Sequence, residues 1–188
     1  MVLALSSQAL QQVRHHAEQT YPEECCGLLL GTLQRFSSPQ EDATRTVYEL
    51  WQAPNTWDAA HSQSSDGTPA PHPSSSNLDN TRRYWIAPQQ LLAAQRHARD
   101  RQLNIIGVYH SHPDHPAIPS ECDRSFAWPD YSYIIVSVQQ GSAQDLLCWS
   151  LDDQHQFQPE AIHLLTEPPI IQPIPSAKPL MSNPVETS

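Results

Sequence analysis

Apolar positions recur at helical spacing in residues 6–22, where Leu10, Val13 and Ala17 share one face, Ser6 or Ser7 can cap the start and Pro22 stops the run. Residues 25–33 are a short apolar run with glycines, which predicts a buried strand, and residues 44–53 alternate as a second strand. From about 52 to 82 the pattern is lost in a stretch rich in Ser, Pro, Asn and Asp, which predicts a long loop or disordered insertion with His61 and His72 solvated. Residues 87–103 resume helical spacing, with Pro88 in the first turn and Leu91, Leu92, Gln95 and Ala98 down one side. A β-branched and aromatic strand follows at 104–112, then a short helix from Ser120, two strands at 131–138 and 145–152 joined at Gly141, and a last strand or helix at 156–165. Residues 167–188 have no periodicity and read as a disordered Pro-rich tail. This order predicts an α/β domain over 1–166, a mixed β-sheet flanked by helices.

Composition narrows the classes. The chain has 188 residues and 18 prolines, clustered in the insertion and the tail; without those two segments about 135 residues remain, enough for one hydrophobic core. A formal net charge of −10 opposes binding to phosphate backbones, so nucleic acid is not an expected partner. No apolar run reaches membrane-spanning length, and the first residues lack the pattern of a signal peptide, so a cytoplasmic protein without membrane attachment is expected. Cys25, Cys26, Cys122 and Cys148 form no metal-ribbon or disulfide pattern and read as buried free thiols; adjacent Cys25 and Cys26 would face opposite sides of a strand.

The candidate chemistry lies in GVYHSHPDHPAIPSECD, residues 107–123. His110 and His112 alternate on a strand and point the same way, and Pro113 ends that strand. A catalytic zinc takes about three protein ligands and keeps a position for water. Asp123, in the first turn of the helix starting near Ser120, can return to the histidines as the third ligand. Other readings of these residues stay open. Ser120 with Asp123 is also a helix capping box. His110-x-His112-x-Asp114-His115 matches the HxHxDH string of metallo-β-lactamase-type hydrolases, although "PA" stands where glycines are expected. His112, Asp114 and His163 could form a two-histidine, one-carboxylate iron site. Glu23 and Glu24, just before an apolar strand, are adjacent glutamates in a turn, where solvated side chains are the ordinary state.

Taken together, Glu24-x-Cys26-Gly27, Gly107-x-Tyr109-His110-Ser111-His112-Pro113 and Ser120-x-x-Asp123 resemble the JAMM (MPN-plus) zinc metalloprotease family, most closely its small bacterial branch, from about residue 6 to 165. The resemblance implies a JAMM/MPN-like fold, and one zinc per chain held by His110, His112 and Asp123. It implies Glu24 as the base for the zinc-bound water and Ser120 as a hydrogen-bond donor to the oxyanion or that water. It also implies cleavage of a peptide or isopeptide bond at the C-terminus of a ubiquitin-like or sulfur-carrier protein ending in Gly-Gly. A non-catalytic binding module for such proteins is the competing function.

Removal of residues 168–188, which lack the apolar content to pack, is expected to leave the melting temperature and activity unchanged. A truncated protein that melts well below the full chain contradicts this.

Overall fold

The computed structural model describes residues 1–35, 43–57 and 80–170. Its elements are β1 (Val2–Ser6), α1 (Ser7–Thr20), β2 (Cys26–Gln34), β3 (Thr44–Ala53), α2 (Pro88–Asp100), β4 (Asn104–Pro113), α3 (Glu121–Phe126), β5 (Ser132–Gln139), β6 (Ser142–Leu151) and β7 (Phe157–Leu165). The strands form one mixed sheet in the order β1-β3-β2-β4-β5-β6-β7, which closes through β1 and β7 into a barrel. Pairs β1–β3, β1–β7 and β4–β5 are parallel and the rest antiparallel.

The expected mixed sheet with helices is therefore present, and it closes into a barrel, which the order of elements alone does not indicate. The closing strand is β1, a run the sequence reading left without an element. Its five residues are apolar except for Ser6, and only remote partners, β3 and β7, show it to be a strand. The ambiguous segment at 156–165 is strand β7.

Alternation along β2 divides the core. Cys25 and Leu29 join Leu3, Leu5, Ile134 and Val136 in the cluster covered by Val13 and Ala17 of α1. Cys26, Leu28 and Leu30 join Val108 and Tyr133 in the cluster covered by Ala94 and Ala98 of α2. The two adjacent cysteines do face opposite sides. Cys25, Cys26 and Cys148 are buried free thiols as expected, while Cys122 is half-buried. Ser6 caps α1, its hydroxyl accepting from the Ala9 amide at 3.1 Å. On α2 the buried face is Ala94 and Ala98 with Leu91 beside them, and Leu92 and Gln95 face solvent. Small residues let the helix lie close to the sheet, so its packing face is narrower than the leucine pattern suggests.

The segment read as an insertion at 52–82 has ordered ends. Gln52 and Ala53 finish β3, and residues 54–57 and 80–82 belong to the described structure; residues 58–79, with His61 and His72, lie outside it. Of the tail expected at 167–188, residues 171–188 also lie outside the described residues. Among the described residues no helix is long and apolar enough to cross a membrane.

Inside the barrel, Arg45 of β3 donates to Glu160 of β7 at 3.2 Å, to Ser132 of β5 at 3.2 Å and to the Asp130 carbonyl at 2.9 Å. Ser132 in turn donates to Glu160 at 2.7 Å. Both members of the ion pair are almost wholly buried. Removing one charge leaves the other desolvated without a partner, so Glu160→Ala is expected to lower the unfolding free energy by about 3–5 kcal/mol. Chemical denaturation of the two proteins measures this, and a loss below about 1 kcal/mol, the range of exposed ion pairs, contradicts it.

Candidate metal centre

The site is built from the pairing of β2 with β4. Leu29 pairs with Gly107, but Leu30 pairs with Ile105, so Ile106 is an extra residue at a bulge. Such a bulge reverses which face successive side chains take. Ile105 and Val108 accordingly pack on the α2 side, and Ile106 and Tyr109 on the α1 side. Beyond the bulge Val108 pairs with Leu28, Tyr109 with Gly27 and His110 with Cys26. His110 and His112 thus share the face of Cys26. Gly27 is required by this register: a Cβ there would lie 2.3 Å from the Tyr109 ring and 2.5 Å from the Trp51 carbonyl oxygen.

The ladder continues one step past the strand. Ser111 donates its amide to the Cys25 carbonyl at 3.2 Å, and the Ser111 hydroxyl accepts from the Cys25 amide at 2.8 Å. The next residue back, Glu24, comes level with His112 on the same face. Parity separates the two glutamates. Glu24 is 5% exposed, whereas Glu23 is exposed to solvent. Burial pushes the Glu24 carboxyl up to about 8, with the Asp123 charge acting in the same direction and His112 and Arg83 opposing it.

Asp123 arrives from the other side. Ser120 is the N-cap of α3: its hydroxyl accepts from the Asp123 amide at 3.1 Å, and the Asp123 carboxylate accepts from the Ser120 amide at 2.6 Å. The capping box is real, and it coexists with the metal-ligand geometry. Asp123 Oδ1 lies 3.4 Å from His110 Nε2 and Oδ2 lies 3.6 Å from His112 Nε2. The two Nε2 atoms face each other at 3.0 Å. His110, His112 and Asp123 form the one group of potential metal ligands found among the described residues, with ligand atoms within 4.8 Å of one another.

The donor set fits a divalent ion. His112 Nδ1 sits 2.8 Å from the Pro116 carbonyl, which can only accept, so Nδ1 carries the proton and Nε2 presents its lone pair inward. Burial lowers the His110 imidazole to about 4, against the opposing charge of Asp123, and keeps it neutral. For His112 burial also acts downward, but the hydrogen bond and charge of Asp123 outweigh it and the net shift is up. Asp123 is buried too, yet the two histidines and the Ser120 amide hold it well below the usual carboxylate range. A neutral His110 and an ionised Asp123 are the states metal binding requires, and a bound cation would displace any proton held at His112 Nε2.

The other metal readings of these residues are not assembled. Asp114, in the left-handed region at φ 53°, accepts from the Tyr21 hydroxyl and the Gln140 amide, both at 2.9 Å, and locks the turn after β4. His115 and His163 are exposed. The HxHxDH string and the His112–Asp114–His163 triad are therefore corrected: a positive-φ turn carries Asp114 away from the histidine face, and His163 lies on β7, paired with Ala4 of β1.

Three contributions were not anticipated. The Tyr84 ring stacks on His110, with centroids 4.5 Å apart and planes at 27°. Asn55 bonds to the Glu24 carbonyl at 3.0 Å. An apolar cavity of about 190 Å³, lined by Leu28, Ile86, Val108, Phe126, Trp128 and Tyr133, opens beside Glu24 and Asp123. The aromatic residues at 126–133 follow the motif closely in sequence and Tyr84 lies well before it, but only the fold shows that they meet it.

A family model describing prokaryotic homologs of the JAB domain matches residues 6–152. The chain belongs to this JAB family. The match contains Glu24, His110, His112, Ser120 and Asp123 and ends before β7. A desampylase from Haloferax volcanii is 27% identical over 141 residues, covering 72% of this chain and 80% of that protein. The solution structure of a protein from Desulfitobacterium hafniense shares the JAB chain's fold with a TM-score of 0.64 at 23% identity, covering 88% of this chain and 94% of that one. A Salinibacter ruber protein has a TM-score of 0.58 at 32% identity, covering 92% and 97%.

Because three potential ligands converge and Asp114 does not join them, one divalent ion per chain is expected, lost in Asp123→Ala and retained in Asp114→Ala. Elemental analysis after metal loading measures it. Two ions per chain, or equal loss in both variants, contradicts the assignment.

Proposed function

We propose that this JAB protein is a single-zinc peptidase or isopeptidase that cleaves at the C-terminus of a ubiquitin-like or sulfur-carrier protein ending in Gly-Gly. The observation that carries the reading is the meeting of His110, His112 and Asp123 next to a buried glutamate, Glu24, at one end of β2 and β4. The similarity to a protein named desampylase, a name denoting removal of a ubiquitin-like modifier, supports this class of substrate.

His110 Nε2, His112 Nε2 and an Asp123 oxygen would hold the ion. Bound zinc supplies a water of lowered pKa and a Lewis acid for the scissile carbonyl. Glu24 is placed to accept the proton of the attacking water and return it to the leaving amine; a cation held by the three residues would offset the burial that raises its carboxyl and favour the ionised form this role requires. Its burial beside an apolar cavity keeps bulk water from competing for that proton. Ser120 uses its hydroxyl oxygen as the acceptor for the Asp123 amide, so its own O–H remains available to donate to the developing oxyanion. A binding module has no use for a carboxylate held at the ligand cluster in this way, and the buried Glu24 favours the enzyme.

In Glu24→Gln the amide keeps the shape but cannot accept a proton, so zinc is expected to be retained and turnover to fall about 10²- to 10⁴-fold. Glu23→Gln should behave as wild type. Ser120→Ala should keep zinc and lose about 10²- to 10³-fold in rate, with about 1 kcal/mol of stability lost through the cap. The assay is single-turnover cleavage of a Gly-Gly carrier bearing a C-terminal extension, with the product weighed by mass spectrometry and zinc content and melting temperature measured in parallel. Loss of zinc in Glu24→Gln makes the glutamate a ligand. Full turnover in Glu24→Gln with an inactive Glu23→Gln moves the base by one residue. A zinc-loaded wild-type protein that leaves the carrier intact while binding it identifies a binding module.

A further inference from the structure

The two metal-facing imidazoles are held in different ways. His112 is oriented by its Nδ1 bond to the Pro116 carbonyl at 2.8 Å. The Nδ1 of His110 is buried and has no hydrogen-bond partner among the described residues. Packing must therefore set the His110 ring plane, and the ring stacked on it is Tyr84.

Tyr84 lies between two residues tied to one side chain. Asn55 Nδ2 donates to the Arg83 carbonyl at 2.9 Å and to the Glu24 carbonyl at 3.0 Å. Asn55 Oδ1 accepts from the Trp57 amide at 3.1 Å and the Trp85 amide at 3.2 Å. A carboxamide offers two N–H donors and two acceptor positions, and all four are used. Neighbouring bonds reinforce the clasp. The Thr56 amide and hydroxyl both reach the Trp85 carbonyl at 3.0 Å, and the Glu24 amide donates to the Asn80 carbonyl at 2.7 Å.

We infer that Asn55 is a positioning residue: it locks the main chain of Glu24 to the segment that presents Tyr84 to His110, holding base and first ligand in one frame. The roles given to Glu24 and His110 rest on the function proposed above. The frame matters because Glu24 comes from the turn before β2, whereas Tyr84, the ring stacked on His110, comes from a separate segment before α2. A displacement of about 1 Å at such a site can cost about 10²-fold in rate.

The test uses the full chain in five forms: wild type, Asn55→Asp, Tyr84→Leu, Tyr84→Phe and Ser132→Ala. Asn55→Asp keeps the shape but replaces both donors with an oxygen facing two carbonyls. Tyr84→Phe keeps the stacking ring, and Tyr84→Leu removes it. Ser132→Ala loosens the remote Arg45–Glu160 network and controls for general destabilisation. The readouts are the visible absorption of the cobalt-loaded protein, kcat and KM separately, and melting temperature. The expected result is an altered cobalt spectrum and a kcat lowered about 10²-fold at unchanged KM in Asn55→Asp. Tyr84→Leu should alter the cobalt spectrum in the same way and weaken metal binding about 10- to 100-fold, as loss of a ligand-orienting neighbour does. Tyr84→Phe should match wild type on each readout, and Ser132→Ala should lose melting temperature alone.

A wild-type cobalt spectrum and kcat in Asn55→Asp overturn the inference. So does a kcat loss that Ser132→Ala reproduces at the same melting temperature, or a Tyr84→Phe variant as impaired as Tyr84→Leu. If wild type binds no metal or cleaves no carrier, the proposed function fails by itself. The clasp is then judged in the metal-free protein by the NMR shifts of the His110 ring protons, which the Tyr84 ring current displaces. Those shifts should move in Asn55→Asp and Tyr84→Leu and hold in Tyr84→Phe; unmoved shifts in Asn55→Asp overturn the inference.

Discussion

The phase of one strand governs everything else at this site. Side chains on a strand alternate strictly, so a single extra residue exchanges the two faces for all that follow. Ile106 is that residue: before it β4 pairs Ile105 with Leu30, and after it Gly107 with Leu29. The change puts Tyr109 under α1, where its hydroxyl meets His16 Nδ1 at 3.0 Å, and turns His110 and His112 toward Asp123 of α3. Gly27 is the counterpart on β2, since the ring of Tyr109 occupies the space a side chain would need. The Cys-Gly pair after Glu24 thus has a steric cause. Cys26 sets the face, and Gly27 admits the ring that lets the histidines sit in register.

Asp123 shows how little additional structure is needed to bring a carboxylate up to the two histidines. A six-residue helix has few ways to hold a side chain at a fixed angle. Here the helix start does it, because the carboxylate that approaches the histidines also accepts the Ser120 amide. The bond that ends the loop is also the bond that orients the Asp123 carboxylate toward the histidines. Fold stability and metal geometry are coupled at this point, and Ser120 contributes to both.

Legibility in the sequence followed from whether a residue acts through its own spacing. His110 and His112 were legible because a period of two needs no tertiary knowledge, and Asp123 because the capping box is written in four residues. Glu24 rested on a resemblance, although counting parity back from Cys26 selects it over Glu23. Tyr84 and Asn55 were not legible. They act through a ring face and main-chain bonds from a segment whose composition reads as loop, and such contacts leave no periodic trace. Strand β1 was missed because five residues without alternation carry no signal apart from their partners. Arg45 was missed because a charge on an alternating strand is ordinarily at the surface; its burial depends on Glu160, 115 positions away.

Closure of the barrel bears on colloidal behaviour. An open sheet ends in two strands whose amide and carbonyl groups point outward and can template another chain. Because β1 bridges β3 and β7, the seven strands of the described structure close into a ring, with β1 pairing along the start of β3 and the end of β7. Pairing between copies of this fold then has less free backbone to use, on a chain whose formal net charge of −10 sets like against like. The short apolar run of β1, by completing the ring, covers backbone of β3 and β7 that would otherwise stand at an aggregation-prone edge.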